Sequence, residues 1–209
     1  MTDLAPEAPR RLSKGERTRA RIIGSATELF ARSGYLAVSL RDIAAHAGLT
    51  HAGLLHHFPG KEALLLDVLS LRDELDGRRL FPAVLAPGTP EPEPAERLRV
   101  LLDVVTRNAG TPGLVALYAK LSAEASDPEH PAHLYFVRRY QILRRELTGL
   151  LAELFAAADV REDPAAVAQQ LLALMDGLQT QWLLEPDAVD MAEQVRAFLR
   201  RYGVRAELG

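Results

Sequence analysis

The sequence predicts an all-α protein, with a small N-terminal three-helix domain containing a helix-turn-helix followed by a larger C-terminal helical bundle. Three observations predict it. Apolar residues recur at three- and four-residue spacing in segment after segment, no stretch reads as a sheet strand, and residues 39–58 read as two short helices joined by a glycine turn.

Lys14 to Ser33 places Ile22, Ile23, Ala26, Leu29 and Phe30 on one helical face, giving a first amphipathic helix. Ser39 can accept the orphan amides that open a second helix, in which Leu40, Ile43, Ala44 and Ala47 share a side. Gly48 reaches the left-handed conformation cheaply and turns the chain. Thr50 then caps a third helix with Leu54 and Phe58 inward, leaving His51, Ala52, Leu55 and His56 outward. Such a unit places its second helix in the DNA major groove while its first crosses the backbone, and a small, polar outer face suits that task.

Downstream, Lys61 to Arg79 carries Leu64, Leu65, Val68, Leu71 and Leu75 on a helix of about 28 Å, long enough to connect two domains mechanically. The stretch from Phe81 to Pro94, with prolines at 82, 87, 90, 92 and 94, reads as an exposed loop. Residues 95–109 (Leu98, Leu101, Leu102, Val105) and Pro112 to Ala125 (Leu114, Leu117, Tyr118, Leu121) form two further helices, and the cluster from Ser126 to Pro131 breaks the second. The longest helix runs from Ala132 to Ala158, with Phe136, Tyr140, Leu143, Leu147 and Leu151 on one face; Arg138, Arg139, Arg144 and Arg145 are read as a solvated face. Asp163-Pro164 launches a helix to Leu184, and Pro186-Asp187 launches the last, to Tyr202. These two carry more apolar residues than one buried stripe needs. The excess calls for a partner copy against Leu178, Trp182, Met191, Val195, Phe198 and Leu199.

Charge divides along the same line. Residues 1–58 hold 8 Lys and Arg against 5 Asp and Glu, a net +3, while the rest holds 17 against 23, a net −6. Arg10, Arg11, Lys14, Arg17, Arg19 and Arg21 crowd the start of the first helix against Glu16 alone, an arrangement that attracts phosphates. The absence of cysteine excludes disulfides, thiolate metal sites and cysteine redox sensing. No run of 18 apolar residues and no signal-peptide core is present, so the chain is expected to stay in the cytoplasm and off the membrane.

Phe30, Gly34, Val38-Ser39, Ile43-Ala44, Ala47-Gly48-Leu49-Thr50, Leu54, His57-Phe58, Lys61 and Leu64 together resemble the TetR family of bacterial transcriptional regulators over about 50 residues, and Asp176 to Leu184 resembles family members more loosely. The resemblance implies a DNA-binding domain over residues 1–60, with 1–12 disordered, and a helical ligand-binding and dimerisation domain over 61–209. It also implies that the last two helices pair with their symmetry mates in a four-helix bundle, where Gly177 allows close approach. Two departures stand out, Ala52 where the family commonly has glycine and Leu55 where it has a tyrosine that often touches phosphate. Leu55 cannot supply that hydrogen bond, which shifts backbone anchoring to Thr50, His56 or His57, and Lys61. The full expected DNA-contacting set is Arg17, Ser39, Arg41, Thr50, His51, Ala52, Leu55, His56, His57 and Lys61.

Effectors in this family sit among the middle helices, which makes Leu101, Val105, Tyr118, Leu121, Phe136, Tyr140, Leu172, Met175 and Gln179 the expected pocket; His130, His133, Tyr135, Gln170 and Asp176 are either pocket groups or ordinary surface. His46, His51, His56 and His57 invite a zinc-hydrolase reading, but spacings of 5, 5 and 1 do not stack them on one helix face and no carboxylate sits at a zinc-hydrolase spacing. No metal, cofactor or catalytic residue is therefore assigned. The resulting expectation is a homodimeric regulator, a repressor that binds double-stranded DNA at a palindromic operator and is released by a small-molecule effector of unknown identity. The alternative, motivated by Ala52 and Leu55, is a helical small-molecule-binding protein without DNA binding.

Overall fold

The computed structural model describes residues 13–80, 90 and 92–204, with the backbone alone at 71, 72 and 74–80. The expectations for residues 1–12 and for most of the proline-rich stretch lie outside these residues. Among the described residues the chain forms nine helices and no strand: α1 Lys14–Ser33, α2 Leu40–His46, α3 His51–Leu55, α4 Lys61–Leu80, α5 Pro94–Ala109, α6 Pro112–Glu124, α7 His133–Ala157, α8 Pro164–Leu184 and α9 Met191–Arg200.

Local chemistry sets most of the boundaries. Ser13 and Glu16 close a reciprocal capping box at the start of α1, and Ser39 and Asp42 close another at α2. Thr50 Oγ1 accepts from the Gly53 amide at 3.0 Å to open α3. Proline occupies the first turn of α5, α6 and α8, where its missing N–H costs nothing. One expected boundary moves. Pro186-Asp187 does not launch the last helix: Ala188 N–H closes a turn on the Glu185 carbonyl at 3.1 Å, and Asp190 caps α9 by accepting from Glu193 N at 2.9 Å. The second aspartate wins because its carboxylate faces the first free amides of the helix.

Two cores divide the molecule. The first joins Ile22 and Phe30 of α1, Ile43 of α2, Leu54 of α3, Phe58, and Leu64, Leu65 and Leu69 of α4, and continues into Leu117 and Leu121 of α6 and Phe136 of α7. It therefore does not close at residue 60. Helices as short as α2 and α3 cannot enclose an apolar core of their own, and α4 and α6 complete it. The second core joins Leu98 and Leu102 of α5, Leu147, Leu151 and Phe155 of α7, Leu171, Leu178 and Trp182 of α8, and Val195 and Leu199 of α9.

That second core corrects the expected dimer contact. Leu178, Trp182, Met191, Val195 and Leu199 are all buried inside the protomer, and Phe198 is half-buried with its ring 5.3 Å from that of Tyr202. Their apolar excess is absorbed by α5 and α7 of the same chain. The side of α8 left exposed carries Ala173, Gly177, Gln181 and Leu184.

Candidate nucleic-acid interface and effector cavity

The helix-turn-helix is held in a fixed rotation by its buried members. Leu54 is fully buried and Phe58 nearly so, and this turns His51, Ala52, Leu55 and His56 to solvent. Gly48 makes the turn at φ 64°, a conformation that costs glycine little. Ser39, Arg41, His51 and Lys61 line one open groove with Leu36, Ala37, Val38 and Leu40. This brings four of the expected DNA-contacting residues, drawn from α2, α3 and α4, to a single surface. Arg17 and Thr50 are also exposed, and His57 is half-buried.

Lys61 is anchored as well as displayed. Its Nζ lies 4.2 Å from the centroid of the Tyr35 ring and donates weakly to the Leu36 carbonyl at 3.5 Å. Burial pushes its pKa down, opposed by the negative charge of Glu124. Arg19 pairs with Asp67 of α4 and covers the Phe58 ring, so the start of α1 is fastened to α4.

A cavity of about 330 Å³ opens between α6, α7 and α8. Tyr118, Ala119, Ser122 and Ala123 line it from α6, Phe136, Arg139, Tyr140 and Leu143 from α7, and Asp176, Gln179 and Thr180 from α8. Its size falls in the range of small-molecule sites, and its wall mixes three aromatic rings with both signs of charge. The Tyr140 hydroxyl donates to Asp176 Oδ2 at 2.6 Å. Packing of α7 and α8 around it raises the Asp176 carboxyl above the ordinary aspartate range even though the residue keeps an exposed edge at the cavity mouth, and that bond and Arg139 partly offset the rise. The Tyr140 phenol is raised by burial and by its bond to Asp176.

Behind the cavity wall lies a network on α4. Arg139 Nη1 donates to Asp73 Oδ1 at 2.9 Å, the Tyr135 hydroxyl bonds the other Asp73 oxygen, and the Tyr118 hydroxyl donates to the Leu69 carbonyl at 2.7 Å. The Arg139 guanidinium also covers the Tyr118 ring at 5.1 Å. On its opposite side α6 grips α1: Lys120 Nζ donates to the carbonyls of Ala31 and Arg32 at 2.8 and 2.7 Å, and Glu124 accepts from Tyr35 N at 3.2 Å. Gly34 ends α1 at φ 81°, and a Cβ there would collide with the Glu124 carboxylate.

Of the expected pocket residues, Tyr118, Phe136, Tyr140 and Gln179 meet at this cavity and the others do not. Leu101, Val105 and Leu172 are packed in the second core and Leu121 is sealed in the first. Met175 instead borders a separate void of about 10 Å³, room for about one water, with Val105 and Gln179. Arg139 departs from the expected solvated face: its side chain is only 26% exposed and is committed to Asp73. The register could have revealed this, because Phe136, Arg139, Tyr140 and Leu143 follow the three- and four-residue spacing of one face.

The fold and these two sites define a class, helix-turn-helix regulators whose reading head is continuous with a helical, cavity-bearing body. Residues 22–68 match the model of the bacterial regulatory proteins of the tetR family, and residues 94–206 match that of the BetI-type transcriptional repressor C-terminal domain. The chain belongs to the TetR family of bacterial transcriptional regulators. It is similar to the HTH-type transcriptional regulator BetI of Agrobacterium fabrum (29% identity, 77% of this chain and 74% of that one) and to AcrR of Shigella flexneri (22%, 89% and 87%). Among solved structures, a TetR-family regulator from Streptomyces coelicolor superposes with a TM-score of 0.71 at 27% identity, covering 90% of this chain and 96% of that one. NalD, the secondary repressor of a multidrug efflux pump in Pseudomonas aeruginosa, shares the fold at a TM-score of 0.67 and 22% identity, covering 94% and 100%. The protein is thus a DNA-binding, ligand-responsive regulator of the repressor type that works as a homodimer. None of the described helices is long and apolar enough to cross a membrane.

Proposed function

We propose that this regulator acts in the cytoplasm by binding alone, without a catalytic step, and that its effector occupies the cavity between α6, α7 and α8. The observation that carries this reading is that cavity-wall residues hold the connecting helix directly: Arg139 donates to Asp73 and Tyr118 to the Leu69 carbonyl of α4. A ligand that displaces either side chain changes what restrains α4, and α6 relays the same disturbance to the end of α1 through Lys120 and Glu124. For release of DNA the ligand needs a differential affinity for two arrangements, and a coupling of about 1–3 kcal/mol corresponds to about 5- to 150-fold in operator affinity. Ser39, Arg41, His51 and Lys61 anchor and orient the head on DNA from their common groove, with Arg17, Thr50, His56 and His57 beside them.

The testing experiment is capture of fragmented genomic DNA at physiological salt, read by sequencing. One enriched palindromic motif supports the reading, and no enrichment over capture without the protein would contradict it. Compounds chosen from the neighbouring genes are then tested for release of that DNA, with Arg139→Ala expected to abolish release.

Two recognition helices reach successive major grooves only in a twofold dimer, with half-sites about 34–36 Å apart or somewhat more. The exposed side of α8, Ala173, Gly177, Gln181 and Leu184, supplies the contact, since a Cβ added at Gly177 meets nothing within 4 Å in the protomer and Leu184 is 77% exposed. Gly177→Trp is expected to give monomers by light scattering with an unchanged helical spectrum. A Gly177→Trp dimer would place the contact elsewhere.

A further inference from the structure

We propose that Leu55 reads the 5-methyl group of thymine, making an apolar contact the main base-selective element of the recognition helix. The inference rests on the DNA-binding reading above. It follows from what the outward face of α3 contains. From His51 to Phe58 there is no Arg, Lys, Asn, Gln, Asp or Glu, so each side chain able to make a bidentate hydrogen-bonded match with guanine or adenine, or to accept from cytosine, is missing from this segment. What faces outward is imidazole at His51 and His56, a methyl at Ala52 and an isobutyl group at Leu55.

Leu55 is held there. Its neighbour Leu54 is fully buried, and Phe58 is 2% exposed on the same inner side, so α3 cannot rotate to bury Leu55 without exposing both. Leu55 keeps 40% of its surface in water, and exposed Ala52 lies three residues earlier, one turn back along the same side of the helix. In a major groove whose base edges are otherwise polar, the thymine methyl is the apolar group such a surface can cover. Both atoms groups leave water on contact, and the wrong base leaves the leucine against a polar edge.

The test uses the full chain and the operator obtained by random-site selection, with deoxyuridine replacing thymidine one position at a time so that only a methyl group is removed. At one position in each half-site, wild-type affinity is expected to fall about fourfold, and about fifteenfold when both half-sites are changed, the effect of losing one buried methyl-sized group per half-site. Leu55→Ala is expected to bind thymine and uracil operators alike at that position, while keeping the wild-type salt dependence and thermal midpoint. Two results would overturn the proposal with the DNA-binding reading intact: wild-type affinity unchanged within twofold at every uracil position, or the same methyl dependence in Leu55→Ala. A selection that enriches no motif removes the DNA-binding reading and the proposal together.

Discussion

The helix-turn-helix and the cavity differ in the reach of the polar contacts that shape them. In the head, Ser39 bonds Asp42 and Thr50 bonds Gly53, partners three residues apart. Around the cavity, Tyr118 reaches Leu69, Tyr135 and Arg139 reach Asp73, and Tyr140 reaches Asp176, partners 36 to 66 residues apart. A helix-turn-helix capped by local bonds keeps its own shape, while Lys120 and Glu124 of α6 fasten it, through the end of α1, to the body that moves it. A cavity organised by distant bonds is a junction of four helices, and a ligand entering it alters contacts between helices rather than within one.

The sharpest way to break this comparison is to remove one acceptor of each kind. Asp73→Ala leaves the Arg139 guanidinium and the Tyr135 hydroxyl without their shared acceptor, at side chains that are 26% exposed for Arg139 and 30% for Asp73. Because water reaches the pair in part, the expected loss is about 2–3 kcal/mol, below that of a fully buried pair. Ser39→Ala removes only a helix cap and is expected to cost about 1 kcal/mol. Urea unfolding of both variants measures the contrast. Equal losses would mean that the network on α4 contributes no more than a cap does.

The same difference decides what the sequence could disclose. Serine followed by aspartate three residues on, then a glycine turn, then threonine three residues before an amide it caps, is a pattern within reach of a local reading, and α2 and the start of α3 fall where that pattern puts them, although α3 ends at Leu55, before the expected inward residue Phe58. The cavity was legible only in part. Tyr118, Phe136, Tyr140 and Gln179 stand at inward helical positions, but the partner of Arg139 is Asp73, a residue of another helix that no spacing rule connects to it. The apolar residues of α8 and α9 misled for a related reason: periodicity says that Leu178, Trp182 and Val195 are buried, and cannot say whether the covering helix comes from the same chain or from a copy. Here α5 and α7 provide the cover.

Acid titration separates the two regions more finely, and with opposite sign. Bonds from the Ser39 hydroxyl and amide hold the Asp42 carboxyl below the ordinary aspartate range, so its contribution to stability is complete above the unfolded-state pKa and disappears as pH falls through the lowered folded value. Asp176 is the reverse case: burial raises its carboxyl, so ionisation near neutral pH opposes folding, and that opposition is relieved as pH falls through the raised value. Asp42→Asn is therefore expected to unfold at lower urea than wild type at pH 7, with the gap closing on acidification. Asp176→Asn, which can still accept from Tyr140, is expected to unfold at higher urea at pH 7, its advantage also fading in acid. Both shifts are small because Asp42 and Asp176 are exposed residues and Asp176 also keeps its Tyr140 donor. Paired urea midpoints from pH 7 to about pH 2 decide the matter, that interval passing below the ordinary aspartate value of about 3.9. Two gaps of the same sign would mean that the cavity carboxylate is solvated like a capping one, and the cavity would then be an open surface groove rather than a site that desolvates what it holds.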